Sequence, residues 1–227
     1  GNFAKFAPNA KIIHIDIDPS TIDKNIVVHC PIVGDAKLVL QQMLELLPAK
    51  VKNDRKEWSG MIKSWQKKHP YTYNQGDEKI LTSYTIDTLS KITDGEAVIV
   101  SDVGQHQMWV AQWYKFKHPR THITSGGLGT MGFGFPAAMG AKFAQPDKLV
   151  VSVCGDGSFQ MNLQELATAV ENRMDLKILL LNNGHHGMVR QWQTMFFEGN
   201  YSASKFGVLP DFVKLAESFG AVGMRAS

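Results

Sequence analysis

The stretch LVVSVCGDGSFQMNLQELATAVENRMDLKILLLNNG, residues 149–184, decides the fold. It contains two continuous apolar runs, Leu149–Cys154 and Leu176–Leu181, and a helical pattern over Asn162–Asn172 lies between them. Continuous apolar strands separated by a helix are typical of a parallel sheet that is covered on both faces. We therefore predict a βαβ unit whose helix begins with Asn162 as its N-cap.

The alternation of strands and helices extends along most of the chain. It predicts an α/β protein with a doubly wound parallel sheet, preceded by the end of a second α/β domain. Two further strands are predicted at Lys11–Ile17 and Ala97–Ser101. Helices are predicted at Ala36–Leu47, Arg55–Lys68, Leu81–Ile92, Gln107–Trp113, Phe135–Phe143, Met188–Phe197 and Asp211–Phe219.

The composition changes between residues 49 and 78, where polar residues dominate and His69-Pro70 and Gln75-Gly76 interrupt the pattern. We interpret residues 49–78 as a connection that carries one helix. This divides the chain into residues 1–48, the end of one domain, and residues 79–227, a second domain. We expect the sequence to be cut from a longer protein at both ends.

The bulk composition argues against several classes of function. The 24 Lys and Arg residues and 21 Asp and Glu residues give a formal net charge of +3. So small an excess does not indicate binding to nucleic acid or to a membrane surface, and no apolar run approaches the length of a membrane span. Cys30 and Cys154 are not in a metal-binding spacing, and we expect each to be a small buried apolar residue.

Two loops that follow predicted strands carry the residues for a metal site. Gly155-Asp156-Gly157-Ser158 follows one strand and Asn182-Asn183 follows the next. Because a right-handed crossover places both strand ends at one edge of the sheet, we expect Asp156 and Asn183 to lie close together. A carboxylate and a carboxamide suit Mg²⁺, which completes its coordination with phosphate oxygens and water. The glycines allow close approach of a phosphate, and the following helix offers free N–H groups.

Two other motifs indicate different chemistry, and both are weaker. Gly127–Gly132 matches the dinucleotide pattern G-x-G-x-x-G, but the preceding Thr121–Ser125 is short and polar. The nearest acid in the required position is Asp156, which the metal motif already uses. His185-His186 would suit a transition metal, but two adjacent histidines do not easily chelate one ion, and no further His or Cys is placed to help.

The GDG and NN motifs at this separation resemble the signature of the thiamine-diphosphate-dependent enzymes. Among these the chain is most similar to the catalytic large subunits of acetolactate synthases. Four segments carry this resemblance: Ser101–Trp109, Ser125–Ala141, Gly155–Glu165 and Leu181–Gln193. A fifth segment, His14–Asp35, resembles the end of the family's central domain, which holds FAD.

The resemblance implies roles for individual residues. Asp156, the Asn183 side chain and the backbone oxygen of His185 would ligate Mg²⁺, and Trp192 would line the substrate channel. Thiamine diphosphate would contact Gly104, Gln105, His106, Gly129, Met131, Gly155, Asp156, Gly157, Ser158, Asn183, His185, Gly187, Met188 and Val189. FAD, which is structural in this family, would contact Asp16, Ile17, Gly34 and Asp35.

Met131 and the three residues that follow Asn183 are the positions where the residue pattern and the family differ. In the family the residue at Met131 props the cofactor in a bent shape, whereas the sequence alone favours a gap-filling role in a core. After NN the family usually has a large apolar or aromatic residue, and here Gly184, His185 and His186 follow. The metal ligation survives this departure because it uses a backbone oxygen, but the family's large side chain over the thiazolium is missing at these three positions.

The resemblance also implies an activity. Pyruvate would be decarboxylated, and the hydroxyethyl unit would be transferred to pyruvate or 2-ketobutyrate in isoleucine and valine biosynthesis. The family's proton-relaying Glu lies in a domain outside this chain, so no catalytic residue is expected here and the fragment alone is expected to be inactive. A homodimer, a small regulatory subunit, and a cytoplasmic location in bacteria or a plastid location in plants or algae are further expectations. A related 2-keto-acid decarboxylase or pyruvate oxidase, and a non-enzymatic cofactor-binding module, are the alternatives.

Overall fold

The computed structural model describes residues 2–48 and 55–226. The chain divides into two compact units at Pro70–Tyr71. This division lies inside the predicted connection at 49–78, of which residues 49–54 are outside the described part. The predicted domain bounds themselves stay a prediction.

The first unit is built on a pair of parallel strands. Its elements are β1 (Ile13–Asp16), β2 (Cys30–Val33), α1 (Ala36–Leu46) and α2 (Lys56–Lys68), with short 3₁₀ turns at Phe3–Lys5 and Pro19–Thr21. In the register of the two strands Asp16 lies opposite Val33. The Asp35 carboxylate accepts a hydrogen bond from the Leu38 N–H (3.1 Å) and so caps α1. Cys30 is exposed, so the expectation that it would be buried was wrong.

The second unit is a parallel sheet with the strand order β4-β3-β5-β6. Its strands are β3 (Val98–Ser101), β4 (His122–Thr124), β5 (Val150–Gly155) and β6 (Lys177–Leu181). Its helices are α3 (Thr82–Ile92), α4 (Gln105–Trp113), α5 (Gly134–Ala144), α6 (Asp156–Phe159), α7 (Leu166–Glu171), α8 (Gly187–Phe196) and α9 (Phe212–Ser218). The predicted α/β class with a parallel sheet is confirmed.

Alternate residues of the central strands point into two different cores, as the pleat of a strand requires. Ile99 and Val153 pack with residues of α3 and α4 on one face. Val98 and Val150 pack with residues of α5 on the other face, where Cys154 joins residues of α5, α6 and α7. Both faces are therefore covered, which explains why these strands are apolar without interruption.

Two predicted features differ from the structure. The helix predicted to begin at Asn162 begins instead at Leu166, after a 3₁₀ turn over Leu163–Glu165. The Asn162 side chain does not cap this turn: its oxygen accepts from the Gln164 side chain (3.2 Å), and its amide nitrogen donates to the carbonyl oxygen of Gly132 (2.7 Å). The polar segment that contains His122–Thr124 forms the edge strand β4, whose one partner among the described strands is β3.

The last helix of the second unit, α9, begins at a side-chain cap. Asp211 caps α9 by accepting from the N–H groups of Val213 (3.1 Å) and Lys214 (3.4 Å). Within the described ranges, no helix has the length and apolar character needed to cross a membrane.

Candidate cofactor site

The candidate site lies at the edge of the sheet where β3, β5 and β6 end. These strands end at Ser101, Gly155 and Leu181, and each is followed at once by a polar residue. Because the three strands are parallel, the loops that leave them meet at one edge. The sheet therefore gathers residues that are far apart in the sequence.

Asp156 is the centre of this edge. Asp156 is only 2% exposed. One carboxylate oxygen, Oδ1, accepts from the N–H of Gly157 (2.8 Å). The other, Oδ2, accepts from the N–H groups of Asn183 (3.1 Å) and Gly184 (2.6 Å). The proximity of Asp156 and Asn183 that the topology predicts is therefore present in the structure.

The turn after β5 is short and internally bonded. The Ser158 hydroxyl accepts from the N–H of Gly155 and donates to its carbonyl oxygen, both at 3.2 Å. A Cβ atom on Gly157 would lie 2.8 Å from the Phe206 ring and 3.1 Å from the His186 ring. Glycine at position 157 therefore allows both rings to lie directly on the turn.

The loop after β6 is shaped by Asn183. Its side-chain oxygen accepts from the N–H of His185 (3.0 Å), which makes a tight turn, and Gly184 in this turn has a φ of +70°. A second segment holds the loop from outside: the Ser204 carbonyl oxygen accepts from the N–H of His186 (2.8 Å). The N–H of Phe206 likewise donates to the carbonyl oxygen of Gly184 (3.0 Å).

These groups fit a hard cation. A carboxylate can accept about four bonds, and the Asp156 carboxylate receives three from backbone N–H groups. The Asn183 amide and the His185 carbonyl add neutral oxygens from the neighbouring loop, a donor set of the kind that suits Mg²⁺. Within the described part of the chain, no group of three or more His, Cys, Asp or Glu side chains could hold a metal, so the transition-metal interpretation of His185-His186 finds no support.

The beginning of α4 supplies groups for an anion. Its N-cap, Gly104, offers no side-chain cap, so the N–H groups of Gln105 and His106 stay available, whereas the Gln107 N–H donates to the Gly104 carbonyl oxygen (3.1 Å). His106 in the first turn is 6% exposed, and its Nε2 atom has no hydrogen-bond partner among the residues that the structure describes. Burial lowers the pKa of His106 to about 4, so the ring is neutral near pH 7. The Asp102 backbone accepts a hydrogen bond from this ring, so the single N–H of the neutral ring is used there and the Nε2 atom carries a lone pair.

A cavity of about 400 Å³ opens beside Gln105 of α4 and the loop that carries Asn183 and His185. Across it the Gln105 side chain donates to Gln191 Oε1 (3.0 Å) and joins α4 to α8. A Cβ atom on Gly187 would overlap the Gln105 amide, so a side chain at position 187 would displace Gln105 from its present place. The cavity is lined by Gln105, Asn183, His185, Gly187, Arg190, Gln191, Thr194 and Met195.

Other predicted residues lie outside this cavity. Gly129 and Met131 belong to the loop between β4 and α5, in which a Cβ atom on Gly129 would lie 3.9 Å from Val103. Val189 and Trp192 are exposed on α8, whereas Met188 is half-buried. A larger open recess of about 490 Å³ at the end of α8 is lined by Gln193, Phe196, Phe197, Glu198 and Asn200, and it holds none of the predicted residues.

The four residues predicted to contact FAD lie in the first unit. The Gly34 N–H donates to the carbonyl oxygen of Asp16 (2.9 Å), so the ends of β1 and β2 meet. Ile17 follows Asp16 and is 72% exposed, and Asp35 follows Gly34. A hydrogen bond from the N–H of Asp18 lowers the pKa of the Asp16 carboxyl group. The structure therefore brings these four residues together at one strand edge.

Sequence reasoning assigned no role to Asp102, and it misassigned Asn162. Asp102 is 0% exposed, and its carboxylate accepts from the N–H groups of Val103 (2.7 Å), Gly132 (3.0 Å) and Gly134 (2.9 Å). One signal was visible in the sequence: an acid directly after a buried strand is the same signal that identified Asp156. No sequence pattern connects Asn162 with Gly132.

Sequence comparison matches most of the second unit to a known domain. Residues 102–227 match the C-terminal TPP binding domain of the thiamine pyrophosphate enzymes. Residues 1–43 match the central domain of the same enzymes.

Individual relatives have greater length than this chain. The chain is 49% identical to the acetolactate synthase isozyme 3 large subunit of Escherichia coli (strain K12), over 100% of this chain and 40% of that protein. It is 51% identical to the acetolactate synthase large subunit of Buchnera aphidicola subsp. Acyrthosiphon pisum (strain APS), over 99% of this chain and 39% of that protein. It is 48% identical to the acetolactate synthase large subunit of Haemophilus influenzae, over 99% of this chain and 40% of that protein. The chain thus spans less than half the length of these relatives.

Proposed function

Because this chain belongs to the thiamine pyrophosphate enzymes, we propose that it is the cofactor-binding part of an acetolactate synthase catalytic subunit. The observation that carries the proposal is the buried Asp156 carboxylate, which joins the GDG turn to the NN loop at the edge of a parallel sheet. Similarity to acetolactate synthase large subunits along nearly the whole chain supports this choice of reaction.

In this proposal two groups of residues hold the cofactor. Asp156, the Asn183 amide oxygen and the His185 carbonyl oxygen ligate Mg²⁺. The remaining contacts with thiamine diphosphate come from Gly104, Gln105, His106, Gly129, Met131, Gly155, Gly157, Ser158, Gly187, Met188 and Val189. The N–H groups of Gln105 and His106 at the start of α4 support binding of the diphosphate at this end of the site.

Thiamine diphosphate, when bound, supplies a thiazolium ring that accepts the electrons released when a 2-keto acid loses CO₂. The chain itself contributes placement and electrostatics. The neutral His106 ring adds no second positive charge beside the metal. Met131 and Val189 contact the ring system, and Trp192 contacts the second 2-keto acid.

The proposal extends to the first unit and to partners. Asp16, Ile17, Gly34 and Asp35 contact FAD, which is a structural cofactor here. The proposed substrates are pyruvate and a second 2-keto acid, and the product enters branched-chain amino-acid biosynthesis. A homodimer of the complete subunit and a small regulatory subunit are the proposed protein partners. The proposed location is the cytoplasm of a bacterium or the plastid of a plant or alga.

Calorimetric titration of thiamine diphosphate, with and without Mg²⁺, tests the metal site. We expect binding by this chain to require Mg²⁺, and Asp156→Ala to weaken it at least about 100-fold, since a charged ligand and the anchor of the NN loop are lost together. Asp211→Ala is the matched control, because Asp211 also accepts backbone N–H groups but is exposed. Binding by a folded chain that is indifferent to Mg²⁺ or to Asp156 would contradict the proposed site.

Product analysis tests the reaction itself. The complete subunit, supplied with pyruvate, Mg²⁺ and thiamine diphosphate, is expected to form acetolactate. Acetaldehyde or acetyl phosphate as the main product would instead assign the protein to a related decarboxylase or oxidase. Formation of appreciable acetolactate by these 227 residues alone would contradict the expectation that a catalytic group lies outside this chain.

A further inference from the structure

The loop between β4 and α5 is held at Gly132 from two sides. The N–H of Gly132 donates to Asp102 Oδ1 at 3.0 Å. The carbonyl oxygen of the same residue accepts from the Asn162 amide at 2.7 Å. One residue of the loop is therefore bonded through both of its backbone polar groups to side chains that come from two other strand-end segments.

Asp102 is a rigid anchor for this loop. It is completely buried, and it also accepts from the N–H groups of Val103 (2.7 Å) and Gly134 (2.9 Å). A Cβ atom on Gly134 would lie 2.7 Å from the Asp102 Cβ atom and 2.9 Å from its backbone nitrogen. If the loop moved away, the carboxylate would be left in the interior without these donors, which is costly.

Asn162 lies so close to Gly132 that a side chain at position 132 would have no room. Gly132 has a φ of +85°, and a Cβ atom there would lie 2.9 Å from the Asn162 amide nitrogen and 2.9 Å from the Met161 Cβ atom. A side chain at position 132 would be strained and would also push Asn162 away. The positive φ and the close contact thus both favour a glycine here.

The clamped N–H belongs to the peptide group that joins Met131 to Gly132. A planar peptide fixes the carbonyl of Met131 together with this N–H. From this geometry we infer that Asp102 and Asn162 are positioning residues, which set the orientation of Met131 toward the cofactor. The inference rests on the proposed function, because only there does Met131 contact thiamine diphosphate. Neither residue touches the cofactor itself, and both act through the loop.

The test compares the full-length protein that carries this chain with its Asn162→Ala and Asp102→Asn variants. Methyl NMR of ¹³C-labelled methionine, with the Met131 signal assigned through Met131→Leu, reports the orientation of Met131. Amide hydrogen exchange of residues 126–135, measured without cofactor, reports whether Asp102 and Asn162 hold the loop at Gly132. We call these two residues the clamp. Matched controls are Asn172→Ala, whose amide donates to the Thr168 carbonyl oxygen (2.8 Å), and the exposed Asp211→Asn.

In both clamp variants we expect a shifted Met131 methyl signal and amide exchange of Gly132 and Gly134 that is faster by about tenfold or more. We expect thiamine diphosphate to bind about tenfold more weakly, whereas the dependence of binding on Mg²⁺ is retained because Asp156 is intact. Neither control is expected to change these quantities. If Asp102→Asn fails to fold, Asn162→Ala carries the test, since the Asp102 anchor is then unchanged.

Several outcomes would overturn the inference. One is a Met131 signal and exchange rates that stay as in the parent protein in both variants. Another is a lower melting temperature without any change at Met131, which is what a merely structural role would give. A third is a displaced Met131 with unaltered cofactor affinity. If the parent protein binds no thiamine diphosphate, the proposed function fails, and the methyl and exchange measurements still decide whether the clamp exists.

Discussion

Asp102 and Asp156 occupy equivalent corners of the same sheet. Each follows a buried strand directly, β3 in one case and β5 in the other. Each residue is almost completely inaccessible, with exposures of 0% and 2%. Each carboxylate accepts three backbone N–H groups, two of them from a segment that lies further along the chain.

The corners differ in what surrounds the carboxylate. At Asp102, which is 0% exposed, the Gly134 backbone lies so close that a Cβ atom on Gly134 would be 2.7 Å from the Asp102 Cβ atom. At Asp156 the partner loop continues through Asn183 and His185, which line the open cavity. The same local arrangement therefore serves in one corner as a sealed anchor and in the other, by our proposal, as a metal ligand.

The largest expected effect comes from the glycine that faces each carboxylate corner. Gly134→Ala should lower the free energy of unfolding by about 4 kcal/mol, because the new Cβ atom would overlap the Asp102 backbone, which cannot move aside. Gly157→Ala should cost only about 1 kcal/mol, because the new atom meets the rings of Phe206 and His186, which can rotate. Urea denaturation of both variants measures the difference. Equal losses would mean that the two corners are equally rigid.

The next effect concerns His106, which lies between the corners. Its folded-state pKa is about 4, below the ordinary value of 6.5. Below pH 6.5 His106 is protonated in the unfolded chain but stays neutral in the folded chain. The free energy of unfolding therefore decreases as the pH falls from 6.5 toward 4, by about 3 kcal/mol in total. His106→Gln should remove this part of the acid loss in denaturation measured between pH 7 and 4. The exposed His118→Gln is the control, and an unchanged acid slope in the His106 variant would contradict the assigned burial.

The smallest effect concerns the Asp102 proton. Burial raises the pKa of Asp102 despite its three N–H donors, so its contribution to stability is complete below the unfolded value of 3.8 and is lost as the pH rises through the folded value. Asp102→Asn should lack this loss in denaturation measured from pH 3.5 upward. Asp87→Asn provides the opposite sign, because hydrogen bonds from Lys91 and Tyr73 lower the pKa of Asp87. Identical pH profiles for the parent and Asp102→Asn would show that this carboxyl group titrates normally.

The sequence was sufficient for those features that depend on strand order. Continuous apolar runs located β3, β5 and β6, and the right-handed crossover then placed Asp156 beside Asn183. These predictions needed only residue type and topology. The start of α4 was predicted less well, because the helix predicted at Gln107–Trp113 begins two residues earlier, at Gln105.

The features that escaped prediction depend on contacts between segments. Asn162 has the residue type and position of an N-cap, but its side-chain oxygen accepts from Gln164, and its amide nitrogen donates to the carbonyl oxygen of Gly132, 30 positions away. The strand β4 carries polar side chains such as Thr124, whose hydroxyl donates to the Ser101 carbonyl oxygen. Tertiary hydrogen bonds overrode local preference in both cases, and neither is visible in residue spacing.

The two carboxylate corners also bear on the order in which the protein folds. The Asp102 contact with Gly132 spans 30 positions and the Asp156 contact with Gly184 spans 28, so the entropy of loop closure is nearly the same for both. Donors and acceptor arrive on separate strand ends, so neither corner can form until the strands between them are paired. We expect both corners to consolidate after the rate-limiting step, so that damage to either speeds unfolding and leaves the folding rate nearly unchanged. Under the proposed function, Mg²⁺ would therefore bind at Asp156 only after the sheet has formed, because Asp156 and Asn183 come together only when β5 and β6 are paired.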